Sequence, residues 1–301
     1  MINKTKEIAL ISGMHGFIGQ HLAKALRERD IEPVAIPREL LDSISSLDEF
    51  FLEHKPQYIY ALHAYGNHGK QLSYWDEEVV NYDLTRNLLE VTTASAINLK
   101  AFINFSTSSI YGHQLLAMNE NLTAIKPDTF YAASKAGAMY LARAYAKQYD
   151  KPIVSVIPFS VFGEGEADWR FIPTICKHLV TGKPMPISGN QEQTHDWIHV
   201  DNLISGIMKV VANADKLKGE WINIGMGEKQ TNREVRETLE KIAGKKLRLD
   251  IGGFKEQPHH SDLWISDNRK LLSLGWEPSV TLEEGLKRCW EYYKEKYGRK
   301  T

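Results

Sequence analysis

The sequence has little cysteine, no long hydrophobic run and almost no net charge, and each shortage excludes a class of protein. Cys176 and Cys289 are the only two cysteines in 301 residues. They lie far apart and form neither a CxxC nor a disulfide framework, which fits a reducing cytoplasm. No segment approaches the roughly 18 apolar residues that cross a bilayer. The start, Met-Ile-Asn-Lys-Thr-Lys-Glu, lacks the apolar stretch of a signal peptide. A cytoplasmic location is therefore expected. The formal net charge is −1, so bulk electrostatics draw the chain to neither nucleic acid nor an anionic membrane. A small-molecule partner is left as the expectation. Internal repeats and low-complexity tracts are also missing.

What is present is an alternation of short apolar runs and amphipathic stretches. Residues 7–12 read as a buried strand ending in a glycine-rich turn. A helix over 17–29, a strand over 33–36, a helix over 47–54 and a strand over 57–62 follow. A long helix is expected over 79–96, then a strand over 101–105, a long helix over 130–149 and a strand over 153–159. This predicts an α/β fold with a Rossmann-type, doubly wound parallel sheet covered on both faces. Residues 164–200, with Pro173, Pro184 and Pro186, read as loop-rich. Helices over 201–212, 232–243 and 282–297 and a strand over 220–224 complete the pattern. A dinucleotide-binding domain of residues 1–163, rejoined by 201–225, and a smaller mixed α/β substrate lobe of 164–200 and 226–301 are expected.

Gly13, Gly16 and Gly19 lie in S-G-M-H-G-F-I-G, directly after the first apolar run. Glycines at a strand–helix turn let the backbone approach a pyrophosphate, which the helix N-terminus then holds. The spacing is G-x2-G-x2-G, not the commoner G-x-G-x2-G. A plain strand–helix turn is the alternative. Gly19 is expected to let its helix pack closely on the strand. The usual ribose partner is an acidic residue at the end of the second strand. Here Pro37, Arg38 and Glu39 follow that strand. An arginine can pair with a 2′-phosphate, which favours NADP(H) and leaves NAD(H) as the alternative. Arg38 as a solvated surface charge is the bland reading.

Thr107 lies in N-F-S-T-S-S-I-Y-G, and Tyr131 and Lys135 in Y-A-A-S-K. Tyr131 and Lys135 are four apart, so a helix puts them on one face. An ammonium beside a phenol lowers its pKa, and the phenol could then exchange a proton with a carbonyl or alcohol oxygen. Thr107 could hydrogen-bond the same oxygen, with Ser108 a second substrate contact. YxxxK alone is a common chance match. Its weight comes from Thr107 and the glycine loop, which together point to a nicotinamide-dependent enzyme.

At this point the chain resembles the extended short-chain dehydrogenase/reductases, especially those acting on nucleotide sugars. The likeness runs through G-M-H-G-F-I-G, N-Y-D-L-T-R-N-L-L-E (81–90), F-S-T-S-S-I-Y-G (105–112), Y-A-A-S-K, P-F-S-V-F-G (158–163), H-D-W-I-H-V-D-N (195–202), N-I-G (223–225) and L-G-W-E-P (274–278). The resemblance implies Thr107, Tyr131 and Lys135 as the catalytic triad, with Lys135 also holding the nicotinamide ribose. Asn81 and the backbone of Ala61, Leu62 and His63 would border the cofactor, and Leu40 would lie near the adenine. The cofactor contacts so expected also include Gly13, His15, Gly16, Phe17, Ile18, Arg38, Pro158 and Val161. A homodimer through the helices at 79–96 and 130–149 is implied too.

The chain departs from the family pattern at places that bear on its substrate. Family dehydratases carry Asp-Glu after the catalytic Thr, whereas Ser108 and Ser109 stand here. Epimerases commonly carry Arg at His195 and another Arg near His259. Ser160 replaces an Asn, and Ile157 an Arg. Ser108, Ser109, Ser160, His195 and His259 are the expected substrate contacts, and His260 could join them. No metal is expected, although His195 and His199 have a His-x3-His spacing. His63, Tyr65 and His68 stand at the cleft edge of the sheet, with substrate contact and structural roles both open. The expectation is an NADP(H)-dependent reductase of a keto-sugar, with an NAD-dependent nucleotide-sugar 4-epimerase as the alternative. A dinucleotide-sensing protein without turnover is a third reading.

Overall fold

The computed structural model describes residues 6–66, 73–187, 191–253 and 263–299. The strands are β1 (Glu7–Ser12), β2 (Ile31–Ile36), β3 (Tyr58–Ala61), β4 (Ala101–Phe105), β5 (Ile153–Pro158), β6 (Ser160–Phe162), β7 (Met185–Ile187), β8 (Thr194–His195), β9 (Trp197–His199), β10 (Trp221–Ile224), β11 (Gln230–Thr231), β12 (Leu249–Ile251) and β13 (Leu263–Trp264). The α-helices are α1 (Phe17–Arg27), α2 (Ile44–His54), α3 (Tyr74–Glu78), α4 (Leu84–Ala94), α5 (Phe130–Gln148), α6 (Phe171–Thr181), α7 (Val200–Ala212), α8 (Asn232–Ala243), α9 (Arg269–Ser273) and α10 (Leu282–Gly298).

Six strands form one parallel sheet in the order β10-β5-β4-β3-β1-β2. Successive residues of a strand face opposite sides. Ala9 and Ile11 of β1 accordingly join one core with Leu22 and Leu26 of α1 and Leu203 and Ile207 of α7. Leu10 between them joins another, with Phe51 of α2, Leu88 of α4 and Ala142 of α5. The sheet is therefore covered by helices on both faces, as the apolar runs predicted. A further core lies away from the sheet, where Ile172 and Cys176 of α6, Leu239 of α8, and Leu286 and Trp290 of α10 pack together. Cys176 and Cys289 are both buried free thiols.

Two expectations need correction. The segment 164–200 is not simply loop, because α6 lies within it. Pro173 is the third residue of that helix, where the missing N–H has no intrahelical partner to lose. The helix expected over 79–96 is instead α3, a π-helical turn at Val79–Asp83, and α4. The widened turn carries Asn81, whose side chain is clasped by the backbone of Tyr65.

Candidate active site

The strand order reverses direction between β1 and β3, so the segments leaving their C-terminal ends diverge and leave a crevice. Gly13 follows β1, Leu62 and His63 follow β3, and Thr107 follows β4. All three turns open at the same end of the sheet.

Gly13 has φ +75°, and a Cβ there would lie 3.2 Å from the carbonyl of Leu62 and 3.3 Å from the amide nitrogen of His63. A side chain at this position would be both strained and crowded. Gly16 is the N-cap of α1, and no side chain caps that end. Its first backbone N–H groups are therefore available to an anion. Gly19 does not serve the strand as expected: a Cβ there would lie 2.4 Å from the carbonyl oxygen of Gly13 and 2.6 Å from that of Met14. It lets the helix sit against the glycine loop itself. His15 is exposed beside the loop, while the half-buried Phe17 and Ile18 pack on the core under it. This uncapped, side-chain-free cradle fits the pyrophosphate of a dinucleotide.

The other cofactor contacts named from the sequence lie on several elements. Ala61 ends β3, and Leu40 packs on the core beside β1. Pro158 ends β5 opposite Ile224, and Val161 is buried in β6. Arg38 is half-exposed and donates to Asp42 of its own turn at 2.9 Å. A 2′-phosphate there would meet a guanidinium that already has one carboxylate partner.

Thr107 caps the turn Ser108–Tyr111 by accepting from the Ser109 N–H, and its hydroxyl donates to Ser109 Oγ at 3.2 Å. Thr129 caps α5 through the Ala132 N–H. That fixes the helix start so that Tyr131 stands in the first turn and Lys135 one turn later. Burial raises the phenol's pKa, against the lowering effects of the nearby Thr107 hydroxyl and the Arg170 charge. Lys135 was expected to lower it. Its ammonium instead reaches toward β3 and donates to the His63 carbonyl at 3.4 Å. Burial depresses the Lys135 pKa to about 8.

Of the expected substrate contacts, Ser108 and Ser109 lie on the turn after β4, Ser160 on β6 and His195 on β8. Ser108 is buried and accepts from Trp264 Nε1 at 2.6 Å. Ser160 Oγ lies 3.3 Å from His195 Nδ1. Trp264 pairs with His195 in register between β13 and β8, so it links Ser108 to His195. His259, His260 and His68 lie outside the described residues. His195 and His199 do not converge: His199 caps α7 and lies 3.0 Å from Glu164. Among the described residues no group of three or more His, Cys, Asp or Glu is placed to hold a metal ion.

Sequence reasoning missed Trp264 and Arg170. Arg170 holds one oxygen of Glu166 at 3.1 Å, and the other Glu166 oxygen is buried without a partner. Burial raises the Glu166 carboxyl to about 7. No motif flags either residue: Trp264 reaches Ser108 across 156 residues, and the Arg170 charge acts on Tyr131 from a different element.

Residues 9–225 match the family described as "NAD dependent epimerase/dehydratase family". The chain belongs to this epimerase/dehydratase family. It is 32% identical over 215 residues to the UDP-glucuronate 4-epimerase of Thermodesulfobacterium geofontis, covering 70% of this chain and 64% of that enzyme. It is 28% identical over 214 residues to the low-salt glycan biosynthesis protein Agl12 of Haloferax volcanii, covering 71% of this chain and 67% of that protein. The chain thus spans about two thirds of the length of each. The crystal structure of UDP-glucuronic acid 4-epimerase from Bacillus cereus with UDP-glucuronic acid and NAD superposes with a TM-score of 0.84 at 27% identity, covering 96% of this chain and 100% of that one. Epimerase/dehydratase membership makes the chain an enzyme of the extended short-chain dehydrogenase/reductase type, as its motifs implied. Among the described residues no helix is long and apolar enough to cross a membrane.

Proposed function

We propose that the protein is an NADP(H)-dependent reductase of a keto-sugar, most simply a nucleotide-linked 4-keto sugar. The observation that carries this reading is the uncapped glycine turn at the start of α1, with Tyr131 in the first turn of α5, Lys135 buried one turn later and its ammonium on the His63 carbonyl beside that turn. With Thr107, this supplies a hydroxyl, a phenol and an ammonium beside a side-chain-free phosphate cradle. Ser108 and Ser109 offer no acid–base pair for the elimination of water, which speaks against a dehydratase. Arg38, and the lack of an acidic residue at the end of β2, favour NADP(H).

The glycine loop and the first turn of α1 would hold the pyrophosphate, and Lys135 the nicotinamide ribose. When bound, the cofactor supplies the hydride that reduces the ketone carbon. Tyr131 gives its phenolic proton to the carbonyl oxygen, so C=O becomes CH–OH, and Thr107 orients that oxygen. The Thr107 hydroxyl and the Arg170 charge favour the phenolate left behind, which regains a proton from solvent. Ser108, Ser109, Ser160 and His195 would hold the sugar nucleotide, with residues 164–200 and 226–301 as the substrate lobe against a dinucleotide-binding domain of 1–163 and 201–225.

A second reading, an NAD-dependent nucleotide-sugar 4-epimerase, is favoured by the likeness to the UDP-glucuronate 4-epimerases. The two differ in net redox change. A UDP-linked 4-keto sugar should consume one NADPH per sugar under the first reading. Under the second, UDP-glucuronate should isomerise with no net nicotinamide consumed.

A further inference from the structure

His63 is a residue for which the reaction itself needs no side chain. Its ring is nonetheless buried and bonded on both nitrogens. Nδ1 lies 2.6 Å from Ser12 Oγ, and Nε2 lies 3.0 Å from Thr85 Oγ1. Thr85 commits its own proton to the Asn81 carbonyl at 3.0 Å. The Thr85 oxygen can therefore only accept from the imidazole, which places the ring proton on Nε2. Nδ1 is then the acceptor for the Ser12 hydroxyl. Burial, with the Lys135 and Arg38 charges, pushes the His63 pKa down to about 3. The ring is thus neutral, and its tautomer is set by its neighbours.

The backbone of the same residue touches both halves of the site. Its carbonyl accepts from Lys135, and its amide stands against Gly13. Ser12 immediately precedes Gly13. Thr85 follows the π-helical turn whose Asn81 side chain donates to Ser134 Oγ at 3.0 Å, one residue before Lys135. The Ser134 hydroxyl in turn donates to the Tyr131 carbonyl at 3.0 Å. One imidazole therefore bridges the strand that presents the phosphate cradle and the helix that braces the Tyr131–Lys135 turn.

We infer that the His63 imidazole is a positioning residue: through Ser12 and Thr85 it holds the segment after β3 at a fixed distance from both the glycine loop and Lys135. This rests on the functional reading given above. Without the ring, the carbonyl that receives Lys135 and the wall beside the pyrophosphate cradle lose their common anchor.

The test is binding of NADPH and of NADH to the full-length chain by fluorescence titration, with melting temperatures measured alongside. His63→Ala removes both bonds. Thr85→Val keeps the shape and strands the imidazole N–H, and it serves should His63→Ala fail to fold. His63→Gln restores a donor toward Thr85. Val91→Ala, a buried truncation in the same helix as Thr85, controls for stability alone. Both His63→Ala and Thr85→Val should weaken the preferred dinucleotide on the order of tenfold. His63→Gln should recover part of that loss, and Val91→Ala should change melting but not affinity. Unchanged affinity in both His63→Ala and Thr85→Val, or an equal loss in Val91→Ala, would overturn the inference. If the unaltered chain binds neither dinucleotide, the functional reading fails and this inference fails with it.

Discussion

Trp264 Nε1 donates to Ser108 Oγ at 2.6 Å across 156 residues of sequence. In the same strand pairing Trp264 stands opposite His195. The indole therefore joins the turn after β4 to the strand that carries His195 and, through it, Ser160. Two groups of residues that the motifs suggested separately as substrate contacts are thus joined through one residue, by its side chain to Ser108 and by its strand pairing to His195.

Trp264→Phe keeps most of the ring and removes the donor. The loss of the hydrogen bond should cost about 1 kcal/mol in urea unfolding. If the indole positions Ser108 for the sugar, KM for the nucleotide sugar should rise several-fold while cofactor affinity holds. An unchanged KM would assign Trp264 to packing alone.

Tyr131→Phe should lower turnover by roughly 10²–10⁴ if the phenol is the general acid. The phenyl ring retains the shape of the side chain, so dinucleotide binding should survive. Substantial remaining turnover would rule out the proposed proton donor.

Arg38→Ala should weaken NADPH by about tenfold, the magnitude of a charge-assisted hydrogen bond, and leave NADH unchanged. The comparison is made by titrating both dinucleotides. An equal effect on both would reduce Arg38 to a surface charge paired with Asp42.

Lys135 links the site to stability. Its folded-state pKa is depressed from 10.5 to about 8. Below pH 8 both folded and unfolded chains hold the proton, and burial of the charge opposes folding in full. Between about pH 8 and 10.5 the unfolded chain binds more protons, so this group's contribution becomes more favourable to folding as pH rises. Lys135→Met should therefore stabilise the chain at pH 7 by about 2–3 kcal/mol. The gain should shrink toward pH 10, and activity should be lost. Chemical unfolding of both proteins across this range checks the sign. A gain that grows with pH would contradict it.

The sheet was legible because its strands are short apolar runs broken by turn residues, and the glycine loop because its spacing follows a strand directly. Tyr131 and Lys135 were legible as a pair, since four residues make one helical turn. The π-helical turn at Val79–Asp83 was not, because its side-chain clasp on the Tyr65 backbone bridges 16 residues. Helix α6 was hidden by Pro173, which reads as a breaker unless the helix start is known. His63 was visible as a residue at the cleft edge whose backbone would border the cofactor, but its side-chain role was not. Its bonds to Ser12 and Thr85 span 51 and 22 residues, and no local pattern encodes such separations. The Lys135 ammonium could be placed on the Tyr131 face from spacing, but its direction toward His63 depends on β3.

Net reduction of the sugar, rather than epimerisation, separates the two activities. The most direct measurement is to incubate the purified chain with NADPH and a UDP-linked 4-keto sugar, then follow nicotinamide absorbance and product mass together. One NADPH oxidised per sugar, with a product two hydrogens heavier, is the predicted result. A tightly held NAD released only on denaturation, with UDP-glucuronate isomerised and no NADPH consumed, would contradict it.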